Sequence, residues 1–245
     1  MRRLFISDLH LGDHRPDLTK LFHDFMKHFV KPEDNLYILG DMFEAWIGDD
    51  YVSATTDKVR QLLSEFTSSG GTGFIMHGNR DFLIGSAFCK QTGFNLIHEP
   101  YNINLTNRPC VLLHGDSLCT DDVEYQQFKQ VVRSKDWQSE FLSKSLEERL
   151  AVAQGLRDKS KDSMSDKSEE IMDVTPTTVM DLFNTSNSDI VIHGHTHRQY
   201  HHFYETEAGR KERIVLGDWN ETLSVLVEEN NQLALRNYSI DDLSA

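Results

Sequence analysis

Leu36-Tyr37-Ile38-Leu39-Gly40-Asp41 is a run of four apolar residues closed by a glycine and an acid. Such a run is too short for a helix and reads as a buried strand that ends in a sharp turn. The pattern recurs on both sides of it. Leu4-Phe5-Ile6 leads to Asp8-Leu9-His10, and Gly73-Phe74-Ile75-Met76 leads to Gly78-Asn79-Arg80-Asp81. Further on, Val111-Leu112-Leu113 leads to His114-Gly115-Asp116, and Ile190-Val191-Ile192 to Gly194-His195-Thr196-His197. In an open α/β sheet, ligands bind outside the carboxyl ends of the strands. The five strand ends therefore bring Asp8, His10, Asp41, Asn79, His114, His195 and His197 to one rim. Carboxylates, an amide and imidazoles without a thiolate are the donors of a hard-to-borderline metal ion.

Between the runs the periodicity turns helical. Leu18, Leu21, Phe22, Phe25 and Phe29 predict a helix over 18–30, and Val59, Leu62, Leu63 and Phe66 predict one over 55–66. Thr106-Asn107-Arg108-Pro109 reads as the turn of a hairpin between 102–105 and 110–113. After Thr196 the strands 201–204, 213–216, 222–228 and 233–238 read as antiparallel, the last two joined at Asn230-Asn231. Segment 119–175 carries no strand pattern. Phe128, Val132, Trp137, Phe141, Leu146, Leu150, Ala153 and Leu156 recur there at roughly helical spacing, ahead of a polar stretch at 159–168. It reads as a helical insertion between two parts of one α/β core, 1–118 and 176–245, with a new helix over 176–183.

A chain of 245 residues can bury a full core, as one large domain or a domain with an insertion. Its net charge of −14 lacks the basic footprint that nucleic acid requires, so none is expected as a partner. No protein partner is expected either. Cys89, Cys110 and Cys119 are scattered, which suits a reducing compartment. Met1-Arg2-Arg3 is followed by only Leu4-Phe5-Ile6 before Ser7-Asp8, so no signal peptide is expected. No stretch approaches the length of a membrane span, and a cytoplasmic location is expected.

Asp8 and His10 stand at i and i+2, which on an extended strand end would point them the same way. The Asp41 carboxylate has two oxygens and can bridge two metals. Two ions about 3.5–4 Å apart suit in-line displacement at a phosphoester. Asp13, Asp49, Asp50, Asp116 and Asp218 read as loop caps or groups behind the ligands, and His193 as a satisfied core histidine or a further such group.

The motif series D-x-H, G-D, G-N-x-D, H-G-D and G-H-x-H, spanning 8–197, resembles that of the calcineurin-like metallophosphoesterase superfamily. The resemblance implies a four-layer α/β/β/α sandwich. It also implies one metal on Asp8, His10, Asp41 and His197, and another on Asp41, Asn79, His114 and His195. A closer resemblance lies in Ser7-Asp8-Leu9-His10-Leu11-Gly12, Gly40-Asp41-Met42-Phe43-Glu44-Ala45-Trp46-Ile47-Gly48-Asp49-Asp50, His77-Gly78-Asn79-Arg80-Asp81-Phe82-Leu83 and His193-Gly194-His195-Thr196-His197. These are similar to the UDP-2,3-diacylglucosamine pyrophosphohydrolase family of lipid A synthesis in Gram-negative bacteria. That similarity implies two Mn²⁺ per chain, and attack of a metal-held hydroxide on the α-phosphorus to give UMP and 2,3-diacylglucosamine 1-phosphate. It implies catalytic roles for Asp41, Asn79, Arg80 and His195, and substrate contacts at Asn79, Arg80, Asp122, Ser160, Met164, Lys167 and His195. At position 164 the family pattern calls for Asn, and this chain has Met164. The insertion becomes a lid that walls in acyl chains and touches the inner membrane from the cytoplasm, as in a peripheral protein.

Arg80 adds a reading of its own. Most of the superfamily carries His there, whereas arginine cannot donate its proton. It can clamp phosphate oxygens. A phosphate monoester leaving group, with a second pKa of about 6, needs little protonation. This favours a pyrophosphate bond over an alkyl diester. The alternatives are a calcineurin-like hydrolase of another small nucleotide or phosphodiester, and a metal-free scaffold, which would be expected to lack ligands present here.

Overall fold

The five apolar runs are central strands, and their side chains alternate between two cores. The computed structural model describes residues 2–165, 173–207, 209–239 and 242, and for 158–165 the backbone alone. The strands are β1 (Arg3–Ile6), β2 (Asn35–Leu39), β3 (Thr72–Met76), β4 (Asn95–Ile97), β5 (Tyr101–Leu105), β6 (Arg108–Leu112), β7 (Ile190–His193), β8 (Tyr200–Thr206), β9 (Gly209–Val215), β10 (Thr222–Glu229) and β11 (Gln232–Ser239). The helices are α1 (Pro16–Asp24), α2 (Ala54–Ser68), α3 (Ser86–Thr92), α4 (Val123–Val132), α5 (Lys135–Leu142), α6 (Leu146–Ser165) and α7 (Pro176–Ser186). One sheet runs β11-β10-β1-β2-β3-β4 and the other β5-β6-β7-β9-β8.

Phe5, Tyr37, Leu39 and Met76 of the first sheet meet Cys110, Leu112, Ile190, Ile192 and Ile214 of the second. Their neighbours in sequence, Leu4, Ile6, Leu36 and Ile38, face outward onto Leu18, Phe22, Val59 and Leu63 of α1 and α2. On the far side Val111 and Val191 pack on Val179 and Phe183 of α7. The result is the expected four layers, helix, sheet, sheet and helix. Each such buried side chain contributes about 1.5–3 kcal/mol. None of the three cysteines is in a disulfide among the described residues.

Several boundaries differ from expectation. α1 starts at Pro16, whose fixed φ suits the first helical position, and it ends in a π-helical turn over Phe25–Phe29. α2 starts at Ala54 because Ser53 and Thr56 cap it reciprocally. The turn between β5 and β6 is only Thr106-Asn107. Both residues have positive φ, 51° and 62°, the tight geometry that matches strand twist, so Arg108 and Pro109 belong to β6. β9 is antiparallel to β8 but parallel to β7. The chain leaves β7, runs back along the sheet edge as β8, and returns between them.

Within 119–165 the described residues form helices and no strand. Trp137 stacks on Phe141 at 4.9 Å, and Phe141 joins the helix-side core of the first sheet together with Val152 and Ala153. The guanidinium of Arg149 donates to Ile47 O at 2.7 Å and pairs with Asp50. Val123, Phe128, Val131, Leu142, Leu146 and Leu150 remain exposed. Among the described residues no helix is long and apolar enough to cross a membrane.

Candidate metal centre

The loops after β1 and β2 stay zipped together beyond the strands. Asp8 N–H donates to Gly40 O at 3.1 Å, His10 N–H to Asp41 O at 3.0 Å, and Leu11 N–H to Met42 O at 3.0 Å. Asp8 and His10 do not lie on an extended strand, contrary to expectation. β1 ends at Ile6, and the two residues take left-handed φ values of 55° and 49°. Keeping the backbone paired while aiming both side chains at the rim demands that turn. Asp41, His195 and His197 are left-handed as well, with φ of 50°, 66° and 56°. Gly40, at φ 91°, admits the close crossing of loops, since a Cβ there would lie 2.6 Å from Gly78 Cα and from His114 Nδ1. A Cβ on Gly194 would lie 2.1 Å from Asp8 Oδ2.

The seven expected donors come together. Asp8 Oδ2 accepts the His195 N–H at 2.9 Å. Its other oxygen, Oδ1, is buried without a hydrogen bond and faces His197 Nε2 at 3.4 Å. His197 Nε2 in turn lies 3.3 Å from His10 Nε2. Deeper in, Asn79 Oδ1 stands 2.9 Å from His114 Nε2 and 3.0 Å from His195 Nδ1. His114 Nδ1–H donates to Leu39 O at 2.9 Å, which turns Nε2 toward the rim. Asp41 Oδ1 lies 3.8 Å from His114 Nε2. The ligand atoms of Asp8, His10 and His197 lie within 4.8 Å of one another, as do those of Asp8, Asp41 and His114, so Asp8 is common to both groups. Lone pairs converge around a buried carboxylate oxygen that accepts no hydrogen bond, and a donor set of this kind suits a divalent cation. The residues fit a pair of divalent ions.

The electrostatics say the same. Burial alone would push His114 down, but Asp41, Asp116, Asp8 and Glu99 push it up to about 9. Burial raises Asp41 to about 6 against the pull of His114 and His10. Burial, with His114 beside it, pushes His195 down to about 4. Without metal, a proton on His114 offsets a surplus of carboxylate.

The family model for calcineurin-like phosphoesterases matches residues 1–199. The chain belongs to this family. A UDP-2,3-diacylglucosamine hydrolase of Cellvibrio japonicus is 45% identical to this phosphoesterase over 240 residues, covering 98% of this chain and 100% of that one. A protein of the same name from Hahella chejuensis is 43% identical, covering 90% and 91% of the two chains. Among solved structures, one described as a novel archaeal phosphodiesterase aligns over 98% of this chain and 99% of its own, at 14% identity and a TM-score of 0.45.

Behind the candidate ligands of this phosphoesterase stand groups that the sequence reading passed over. Glu44 sits 3.3 Å from His10 Nδ1 and accepts from Arg80 at 3.1 Å. Arg157 of α6 lies 3.5 Å from the same carboxylate. Although burial raises it, His10, Arg80 and Arg157 bring Glu44 down to about 2. Glu99 accepts the His114 N–H at 3.0 Å. Glu44 lies inside a motif quoted above, yet its partners are far away in sequence. Asp81 is no ligand either. Its carboxylate accepts from the N–H groups of Gly78 at 2.8 Å, Met42 at 2.7 Å and Asp41 at 3.3 Å.

The residues read as caps or supports are largely that. Asp13 accepts from Ser53 Oγ and Thr55 N at the start of α2, and Asp49 accepts from Gly85 N and Phe88 N at the start of α3. Asp218 lies 3.8 Å from His197 Nδ1. His193 is buried, donates from Nδ1 to Gly194 O at 2.8 Å and accepts at Nε2 from Arg213 at 3.1 Å. Burial and Arg213 push it down to about 3, so it is neutral. Asp122 caps α4, accepting from Tyr125 N at 3.1 Å. The side chains of Ser160 and Met164, and all of Lys167, lie outside the described residues.

Proposed function

We propose that this phosphoesterase hydrolyses the pyrophosphate bond of UDP-2,3-diacylglucosamine, releasing UMP and 2,3-diacylglucosamine 1-phosphate in lipid A synthesis. The observation that carries this reading is the likeness to relatives of that name, which runs through both the metal rim and the insertion. Asp8, His10, Asp41 and His197 would hold one divalent cation, and Asp41, Asn79, His114 and His195 the other. We assign manganese, because an imidazole-rich set suits it better than magnesium, which prefers oxygen. Such a pair, when bound, supplies Lewis acidity at the attacking and leaving oxygens of an in-line displacement.

The chain's own groups do the rest. Arg80, steadied by Glu44 at 3.1 Å, holds phosphate oxygens as charge grows on them. His195 presents Nδ1 to Asn79. With Nδ1 turned toward Asn79, Nε2 would carry the proton and would donate to a phosphoryl oxygen. The insertion 119–175 is assigned to the lipid as a lid. Its exposed Phe128, Val131, Leu142, Leu146 and Leu150 would meet acyl chains and the cytoplasmic face of the inner membrane, with the protein attached peripherally. Asp122, Ser160, Met164 and Lys167 would contact the substrate.

Chromatography of UMP released by purified, Mn²⁺-loaded protein tests the reading. UDP-2,3-diacylglucosamine should turn over, and UDP-N-acetylglucosamine should be nearly inert, since each acyl CH₂ left unburied forfeits about 0.8 kcal/mol. Chelation should abolish release, and Mn²⁺ should restore it better than Mg²⁺. Equal turnover of the two substrates would overturn the lipid assignment in favour of a small-nucleotide hydrolase.

A further inference from the structure

Helix α4 reaches three of the four residues assigned to one half of the metal centre, all but the shared Asp41. Tyr125, Lys129 and Arg133 follow one another at four-residue spacing, on one face of the helix and its C-terminal cap. The Tyr125 hydroxyl donates to Asp116 Oδ2 at 2.5 Å, and its ring lies against His195, with centroids 6.1 Å apart. Lys129 Nζ donates to Asp116 Oδ1 at 2.9 Å and to Glu99 Oε1 at 3.3 Å. The other Glu99 oxygen accepts the His114 N–H at 3.0 Å. Arg133 donates to Gly78 O at 2.8 Å, next to Asn79. Thus His195, His114 and Asn79 are each addressed from α4. Among the described residues none of the three helix side chains hydrogen-bonds to Asp8, His10 or His197.

Asp116 is the pivot. It is fully buried and follows His114 by two residues. A buried carboxylate stripped of its partners becomes an uncompensated charge beside two ligand imidazoles. Lys129 also spans the two carboxylates, Asp116 and Glu99, that flank the His114 strand end.

We propose that Tyr125 and Lys129 are positioning residues that set the affinity of the Asn79–His114–His195 half-site for its cation, acting through Asp116 and Glu99, while leaving the Asp8–His10–His197 half-site alone. This rests on the assignment of cations to these ligands, and not on the identity of the substrate. Groups that orient metal ligands are typically worth 10–100-fold in metal affinity.

The test is a Mn²⁺ titration of the whole protein followed by electron paramagnetic resonance, with thermal unfolding alongside. In the unsubstituted protein the first equivalent should give an isolated ion and the second the spin-coupled pair. In Lys129→Met the coupled signal should need 10–100-fold more Mn²⁺, with the first ion bound as before. Tyr125→Phe, which keeps the ring on His195, should shift it in the same direction. Lys129→Arg, which keeps a cation at Asp116, should bind both ions as the unsubstituted protein does. Unshifted titrations of folded Lys129→Met and Tyr125→Phe would overturn the positioning role while leaving the metal assignment intact. Equal weakening of both ions would overturn its selectivity. Absence of any coupled signal in the unsubstituted protein would overturn the metal assignment itself.

Discussion

Asp81→Asn tests how the two ligand loops are held. The Asp81 side chain is fully buried. One oxygen accepts from Gly78 N at 2.8 Å and Asp41 N at 3.3 Å, and the other from Met42 N at 2.7 Å and Phe43 N at 3.4 Å. Asparagine has nearly the same shape but only one acceptor oxygen. Its NH₂ must face one pair of backbone donors. A hydrogen bond to a charged group is worth about 1.5–3 kcal/mol, and a buried donor left unpaired costs about 1–3 kcal/mol. The retained oxygen also loses its charge, which roughly halves the bonds it keeps. These costs overlap, since a stranded donor is the lost bond seen from its other side, so the total is about 2–4 kcal/mol and not their sum. For a chain of this size each kcal/mol lowers Tm by about 2–4 °C, so a fall of roughly 5–15 °C is expected. The loops released are those of Asp41 and Asn79, and a displacement of about 1 Å there can cost 10²-fold in rate. Differential scanning calorimetry, metal analysis and UMP release follow the three effects. A Tm within about 2 °C of the unsubstituted protein, with full metal content, would refute the reasoning.

Gly194→Ala places a methyl group 2.1 Å from Asp8 Oδ2; a cost of about 1–3 kcal/mol is expected, with a measurable fall in bound Mn²⁺. His114, raised to about 9 by its carboxylate neighbours, favours the folded metal-free protein fully below its ordinary value of about 6.5, and that contribution is lost as pH rises toward 9. Chelated protein should therefore lose Tm across that window, while Mn²⁺ affinity rises and each uptake releases protons; a Tm that climbs from pH 6.5 to 9 would count against it. Arg80→Ala should lower kcat by about 10²–10³-fold, Arg80→Lys should recover part of it, and the pH–rate profile should keep its shape.

Much of this was legible because each central strand is buried on both faces. Leu4, Phe5 and Ile6 are fully buried, so the run has no polar alternation to obscure it. The candidate donors were legible because their residue types stand directly after such runs, at strand ends that share one rim. Less was visible where the outcome depends on distant pairing. α3 and β4, at seven and three residues, are too short for periodicity to declare them. Reading 201–204 and 213–216 as antiparallel strands says nothing of which further strand β9 will join. Glu44, Glu99 and Tyr125 are ordinary polar residues until the fold brings His10, His114 and His195 beside them.

The left-handed ligand residues tie the two levels together. Asp8, His10, Asp41, His195 and His197 all have positive φ, a region where Asp, Asn and His are several-fold enriched among non-glycine residues. A β-branched residue at these points would strain the turn and supply no donor. The same side chains that can hold a cation are the ones that let a strand end bend sharply at the rim. The backbone bends would still cost energy if they stood alone. Here the paired N–H groups of Asp8, His10 and Leu11 and the Asp81 carboxylate offset them before any metal arrives. The rim is therefore preorganised from below by the sheet, and the Asn79–His114–His195 half is the part that also depends on α4.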